Sequence, residues 1–436
     1  MLKSVRLKNF KLHEDTSIEA APITVFIGPN NTGKSSIFQA LLLLRQAATR
    51  NNERYLCQPH LRDEQSARKP YLYGPDVIID IGAFDEIVRK GENEIQIDFS
   101  GTIRAKKPSG SCAEAQADVH LGVGDNTLAF HNGSVGCSHG EYTWTFAGGP
   151  PREASTLRLG RAVLGFQARD NFQLTSPAGI QLLDGLSAVP EAASQHSEWL
   201  GSAPYRLLQS LHPVYALRGF EEWGCPIADW PPTSLELLLL PDRGLALANM
   251  LASDRRLKAE VSRRLQELLH IEIDIEVVAG KRLKIWAKPS SKEAADTLFA
   301  NEGTGANQLP FILVPIALTP PNETILLSEP EAHLHPKAQS DLVCVLLKGA
   351  KKQNLQLIIE THSEHVLHKL LHSVAKGDLR REELAIYYFD NEKGVSKVRR
   401  LEIDDKGGVE GGLPGFFDQS LDELSEYLDA LKEPKS

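Results

Sequence analysis

The stretch Ile23-Thr24-Val25-Phe26-Ile27-Gly28-Pro29-Asn30-Asn31-Thr32-Gly33-Lys34-Ser35-Ser36 decides how this chain folds. Five apolar or β-branched residues end at a glycine, and a GxxxxGKS loop follows. Beyond it Ile37, Leu41 and Leu44 recur at helical spacing, so residues 33–48 read as a helix. A strand, a glycine loop and a helix in that order form a phosphate cradle. The glycines let backbone N–H groups wrap phosphate oxygens, Lys34 reaches the outer phosphates, and Ser35 is a ligand for Mg²⁺.

Working outward, Val5, Leu7 and Phe10 mark a first strand. Residues 100–200 change character: Gly, Ser and Ala dominate, with short β-like pieces such as Thr143-Trp144-Thr145-Phe146 and a turn at Gly148-Gly149-Pro150-Pro151. Residues 254–269 read as a basic amphipathic helix, and 271–277 and 283–287 as strands. The runs 324–327, 355–359 and 384–389 are apolar throughout, as strands of a parallel sheet covered on both faces must be. No internal repeat or heptad run is present. In the tail, Ser420 and Glu423 form a capping box, and Leu421, Leu424, Leu428 and Leu431 one stripe, which predicts a docking helix.

Three further segments carry candidate chemistry. Asn301-Glu302-Gly303-Thr304-Gly305-Ala306-Asn307-Gln308 places two glycines at the opening of a helix-like run, where backbone N–H groups meet an anion. The strand at 324–327 delivers Ser328-Glu329-Pro330-Glu331 at its C-terminal end, the place where P-loop ATPases put a metal ligand and a water-activating base. One strand later comes Glu360-Thr361-His362-Ser363, with His362 as a donor to a terminal phosphate.

Composition narrows the alternatives. The chain has 436 residues, 42% hydrophobic and 24% charged, which excludes disordered, collagen-like and disulfide-stapled classes. No apolar run approaches the roughly 18 residues of a membrane helix, and the first ten residues lack a signal peptide's apolar stretch. Five scattered cysteines, none in a CxxC pair, suit a reducing cytoplasm. Net charge is −9, of which residues 401–436 carry −7 through ten acids against three lysines. Arg255, Arg256, Lys258, Arg263 and Arg264 form one basic cluster, Lys281, Arg282 and Lys284 a second, and Lys397, Arg399 and Arg400 a third. Each is expected to be a solvated face, with the first the best candidate for DNA. His333, His335, His362, His365 and His368 with Glu331 invite a transition-metal reading, which the assignment of His362 to phosphate disfavours.

The order of these motifs resembles the ABC-type ATPase head, and specifically its SMC-like and OLD-like (overcoming lysogenization defect) branch. The matching segments are KNFK at 8–11, GPNNTGKSS at 28–36, LRG at 217–219, GTGANQLP at 303–310, EPEAHLHPKAQ at 329–339 and ETHSEH at 360–365. GLPGFFD at 412–418 is similar to the tail of a subset whose tail domain has no assigned function. The resemblance implies an α/β fold, a mixed sheet flanked by helices, with a β-rich insertion and a small C-terminal helical tail. Its expected divisions are an N-terminal lobe at 1–100, the insertion at 101–205, a C-terminal lobe at 206–400 and an acidic tail at 401–436.

Carried onto these positions, Asn30, Asn31, Thr32, Gly33, Lys34, Ser35 and Ser36 would bind ATP, and Gly303, Gly305 and Asn307 would reach the nucleotide of a second copy. Glu329 would be the general base and His362 the switch histidine, with Lys34 as the third catalytic group. One departure stands out. The residue before the base is ordinarily Asp or Glu, and here it is Ser328, so Mg²⁺ would rest on Ser35 with Ser328 or Glu331, and turnover is expected to be slow. OLD-type proteins continue into a Toprim nuclease domain, for which this chain has too few residues left. It is therefore expected to be a stand-alone, cytoplasmic ATPase head: an ATP-sandwich homodimer or higher oligomer switching a separately encoded effector, such as a nuclease, in anti-phage defence. DNA is a candidate partner and a membrane is not; a DNA-maintenance ATPase and a transporter ATPase subunit are the alternatives.

Overall fold

Strands apolar on both faces have to be sandwiched, and the structure shows what covers them. A computed structural model describes residues 1–49, 87–106 except 93, strand backbones between 112 and 182, and 207–410 except 223, 229–234, 236–242, 279–280 and 292, together with Gly412. The chain opens with β1 (Leu2–Phe10), β2 (His13–Glu19), β3 (Ile23–Ile27) and α1 (Lys34–Thr49). Then come β4 (Glu94–Lys106), β5 (Cys112–Gly124), β6 (Thr127–Cys137), β7 (Gly140–Phe146), β8 (Ser155–Leu159), β9 (Ala162–Phe166), β10 (Phe172–Thr175) and β11 (Gln181–Leu182). The second half runs β12 (Leu211–Val214), β13 (Cys225–Pro226), α2 (Arg243–Ser253), α3 (Arg255–Leu269), β14 (Ile271–Val278), β15 (Arg282–Pro289) and β16 (Thr297–Leu298). It closes with α4 (Thr304–Gln308), α5 (Pro310–Leu318), β17 (Thr324–Ser328), α6 (Pro336–Gln353), β18 (Gln356–Glu360), α7 (Glu364–Ala375), β19 (Leu384–Glu392) and β20 (Val395–Leu401).

The fold is mixed α/β, with sheets flanked by helices. A six-stranded sheet has the order β12-β17-β18-β3-β19-β20, parallel except for the β19–β20 hairpin. Side chains alternate across it. Ile23, Val25, Ile27, Ile325, Leu327, Leu357 and Ile359 join one core with residues of α2, α3, α5, α6 and α7. On the opposite face Phe26 packs edge-on to Phe389 at 5.3 Å and against Phe38 of α1 at 5.9 Å. An antiparallel sheet of order β11-β10-β7-β6-β5-β4-β1-β2 forms the second layer. Gln356 ties the two sheets: its amide exchanges hydrogen bonds of 2.8 Å with the N–H and C=O of Leu2, and its oxygen also accepts from Thr324 at 2.7 Å.

Two expectations meet the structure differently, and a third lies beyond the described residues. The division at residue 100 falls inside β4, which pairs with β1 through residues 96–101 and with β5 on its other edge, so the β-rich segment extends the N-terminal sheet. The helix at 254–269 forms, capped by Asp254, whose carboxylate accepts from the N–H groups of Arg256 and Leu257. Its Arg264, however, is no solvated cation: it is buried, pairs with Glu260 at 2.8 Å and lies 3.2 Å from where a Cβ on Gly349 would stand. Arg263 is paired with Glu260 and Glu267. Burial and pairing take Arg264 out of the candidate DNA face, whereas Arg263 stays on the surface in exposed ion pairs. The capping box at Ser420 and the leucine stripe lie outside the described residues. No helix among the described residues is long and apolar enough to cross a membrane.

Candidate functional site

β3, β18 and β17 are adjacent and parallel, so their carboxyl ends meet at one edge of the sheet. That edge gathers the loop after β3, Ser328–Glu329 after β17 and Glu360–His362 after β18. The backbone itself requires glycine where the loop opens. Gly28 has φ 137°, and a Cβ there would stand 2.1 Å from the carbonyl oxygen of Phe389 on β19. Gly33 has φ 97°, with His13 2.8 Å from a Cβ position.

The loop is buttressed from outside. Ser396 of β20 donates to the Thr32 carbonyl at 2.6 Å, and Asn391 to that of Asn31 at 2.9 Å. His13 of β2 is fully buried, with Nε2 2.9 Å from the Gly33 carbonyl and Nδ1 2.9 Å from the Thr16 hydroxyl. A carbonyl only accepts, so Nε2 carries the proton and Nδ1 accepts from Thr16. Burial pulls this imidazole down to about 4, against the lesser pull of the Gly33 carbonyl, so it is neutral near pH 7.

Within the loop, Lys34 is 3% exposed and its ammonium donates to the carbonyls of Gly28 at 2.9 Å and Pro29 at 2.5 Å. Burial lowers its pKa, while Glu360 and Glu329 act the other way. Asn30, Asn31 and Ser35 are exposed at the rim, whereas Thr32 and Ser36 are buried. The Ser35 hydroxyl donates to one oxygen of Glu360 and the Ser328 hydroxyl to the other at 2.9 Å. Glu360 is 1% exposed; burial pushes its carboxyl up, and the two hydroxyls and Lys34 pull it back.

Glu329 sits in the left-handed region at φ 44°, and specific contacts hold it there. Its N–H donates to the Glu360 carbonyl at 2.8 Å. Arg218 donates to the carbonyls of Ser328 at 3.0 Å and Glu329 at 2.9 Å, and to Tyr215 at 2.5 Å. Burial brings this guanidinium down to about 10, with Glu331 and Glu329 opposing. The Glu329 carboxylate, half-exposed, lies 4.0 Å from Nε2 of His362. Burial is the main cause that lowers the His362 pKa, then Lys34, with Glu329 opposing. One oxygen of Glu331 accepts from Thr361 at 2.6 Å and from the His362 N–H at 3.1 Å, the other is buried without a hydrogen-bond partner, and burial raises its pKa.

The second glycine segment contacts different neighbours. Gly303 is exposed and open, and α4 passes through helical Leu309 into α5 without a break. Gly305 lies where a Cβ would be 2.5 Å from the His333 carbonyl. Asn307 accepts from the Phe220 N–H at 2.7 Å and donates to the Phe220 carbonyl at 3.0 Å, fixing the loop that carries Arg218. The histidines do not converge. His335 caps α6, and no group of three metal-ligating side chains occurs among the described residues.

Sequence reasoning quoted Glu360 and Arg218 without giving them these contacts, and it passed over His13, Asn391 and Ser396. Nothing local marks them, because each acts across strands far apart in sequence.

A glycine phosphate loop facing a carboxylate and a histidine on adjacent parallel strands defines a P-loop nucleotide site. The chain belongs to the family described as AAA ATPase domain, which matches residues 1–121 and 253–367. A family described as a protein of unknown function (DUF3696) matches residues 379–426, spanning the hairpin and the GLPGFFD segment. No curated protein matches the chain. Among solved structures it is similar to an SMC head domain from Thermotoga maritima, at 12% identity over 92% of this chain and 99% of that one, with a TM-score of 0.40. An Smc head domain with an extended coiled coil, bound to the C-terminal domain of ScpA derived from Pyrococcus furiosus, is 11% identical over 98% and 99%, with a TM-score of 0.45.

Proposed function

We propose that the chain binds and hydrolyses ATP at this sheet edge and uses the nucleotide to pair two heads. The observation that carries this is the meeting of Lys34 and Ser35, Glu329 and His362 at the ends of three neighbouring parallel strands. Lys34 exchanges its carbonyl partners for phosphate oxygens, and the backbone N–H groups from Asn30 to Ser36 surround them. Glu329 accepts the proton of the water that attacks the γ-phosphorus, the β–γ bridging P–O bond breaks, and ADP leaves with that oxygen. His362, neutral near pH 7 through its lowered pKa, donates to the γ-phosphate. Ser35, Ser328 and Glu360 bring three oxygen-bearing side chains together beside the loop, a set that suits Mg²⁺. Bound there, Mg²⁺ would neutralise phosphate charge.

Gly303, Gly305 and Asn307 lie on the segment that would complete the site of a second copy, with Gly303 open to it. EPEAHLHP and ETHSEH support the SMC-like and OLD-like branch, and with it a slow switch acting on a separately encoded effector such as a nuclease in anti-phage defence. Lys34→Ala removes a charge-assisted phosphate contact worth about 2–5 kcal/mol, so ATP affinity should fall at least about 30-fold in calorimetry. Glu329→Gln should still bind ATP, stop turnover and sediment as a dimer with ATP and Mg²⁺. A variant that binds ATP, turns it over at the wild-type rate and stays monomeric would sink the reading.

A further inference from the structure

We infer that Glu360, at the end of β18, is the carboxylate that holds Mg²⁺ here, taking over the place vacated by Ser328 on the next strand. The inference rests on the nucleotide site proposed above and names a residue in it. Ser328 and Glu360 are direct partners in the β17–β18 register, so a side chain at either position meets the same space beside Ser35. The two hydroxyls grip opposite oxygens of Glu360, one from α1 and one from β17. A buried carboxylate needs such partners or a cation to stay charged. Lys34 supplies part of that charge, and the Ser35 hydroxyl, exposed at the rim, marks where a cation would share the carboxylate. Glu331 is held through one oxygen by Thr361 and the His362 N–H, its other oxygen being buried without a hydrogen-bond partner, and neither Ser35 nor Ser328 bonds it as they bond Glu360.

The arrangement also explains why residue 328 is not acidic. An aspartate there would stand beside Glu360, with Glu329 next in line, and three carboxylates around one ion leave excess negative charge. A serine instead donates a hydrogen bond and orients the ligand. The chain therefore keeps one acid in this position but carries it on the neighbouring strand.

The test is the gain in affinity for the slowly hydrolysed analogue ATPγS on adding Mg²⁺ to full-length protein in EDTA-treated buffer. Mn²⁺ resonance in the same complex reports the metal directly. Wild type should bind at least tenfold more tightly with Mg²⁺. Glu360→Gln should lose that gain, and an unchanged far-UV circular dichroism spectrum shows that it is folded. The exchange variant Ser328→Asp/Glu360→Thr should recover most of the gain. If Glu360→Gln keeps the full gain and an unaltered Mn²⁺ signal, this inference falls and the ATP site stands. If wild type binds no nucleotide with or without metal, both fall.

Discussion

The two glycine segments, at 28–35 and 303–308, are read from similar letters and are built in opposite ways. In the first, both glycines are demanded by positive φ and by neighbours closer than any Cβ tolerates, and the lysine is enclosed among the loop's own carbonyls. His13, Asn391 and Ser396 brace it from three other strands. In the second, Gly305 is pressed against the 329–335 turn and Asn307 is bonded to Phe220, while Gly303 faces open space. The first is complete within one chain. The second is anchored at its back and uncommitted at its front, the arrangement expected where a surface awaits another molecule.

Gly28→Ala should do the greatest damage. Its Cβ would meet the Phe389 carbonyl at 2.1 Å with φ at 137°, so strain and overpacking add to about 4 kcal/mol, read as a lowered urea midpoint at pH 7. Next comes the pH dependence of the brace. His13 titrates at about 4 when folded against 6.5 when exposed, so below pH 6.5 the unfolded chain binds the extra proton. Stability therefore falls as pH drops through that window, by about 3 kcal/mol in all. His13→Gln keeps a donor to Gly33 and removes the titration. The difference between wild type and variant should swing in the variant's favour from pH 7 to pH 4, and a constant difference would mean that His13 is not buried neutral.

How much of this was legible follows from which contacts are local. The strand at 23–27, its loop and its helix are contiguous, so their pattern reads directly. The acid-bearing strand ends were visible for the same reason, as was the absence of an acid at 328. The link from Ser328 to Glu360 was hidden, because it depends on parallel register between strands 32 residues apart. Arg264 misled because a basic residue on an amphipathic helix says nothing of whether Glu260 claims it. The extension of the first sheet through β4 into the β-rich segment was masked by a change in composition, which hydrogen-bonded pairing does not have to respect.

The second loop separates stability from assembly, and two small substitutions probe its two faces. Gly305→Ala gains helix propensity, yet its Cβ would stand 2.5 Å from the His333 carbonyl; the net loss should be about 1–3 kcal/mol, less than for Gly28→Ala. Gly303→Ala should be nearly silent in the same melt. Its φ of −54° is open to any residue, nothing lies within 4 Å of the new methyl, and the change at a helix start is within about 0.5 kcal/mol. If that open face closes on the nucleotide of a second copy, the same methyl intrudes where backbone N–H groups must approach phosphate. Placed in the Glu329→Gln background, Gly303→Ala should then leave ATP binding intact and weaken the ATP-dependent dimer in sedimentation. A dimer of unchanged strength would show that the front of this loop is solvent-facing, and the contrast between the loops would reduce to one buried and one exposed turn.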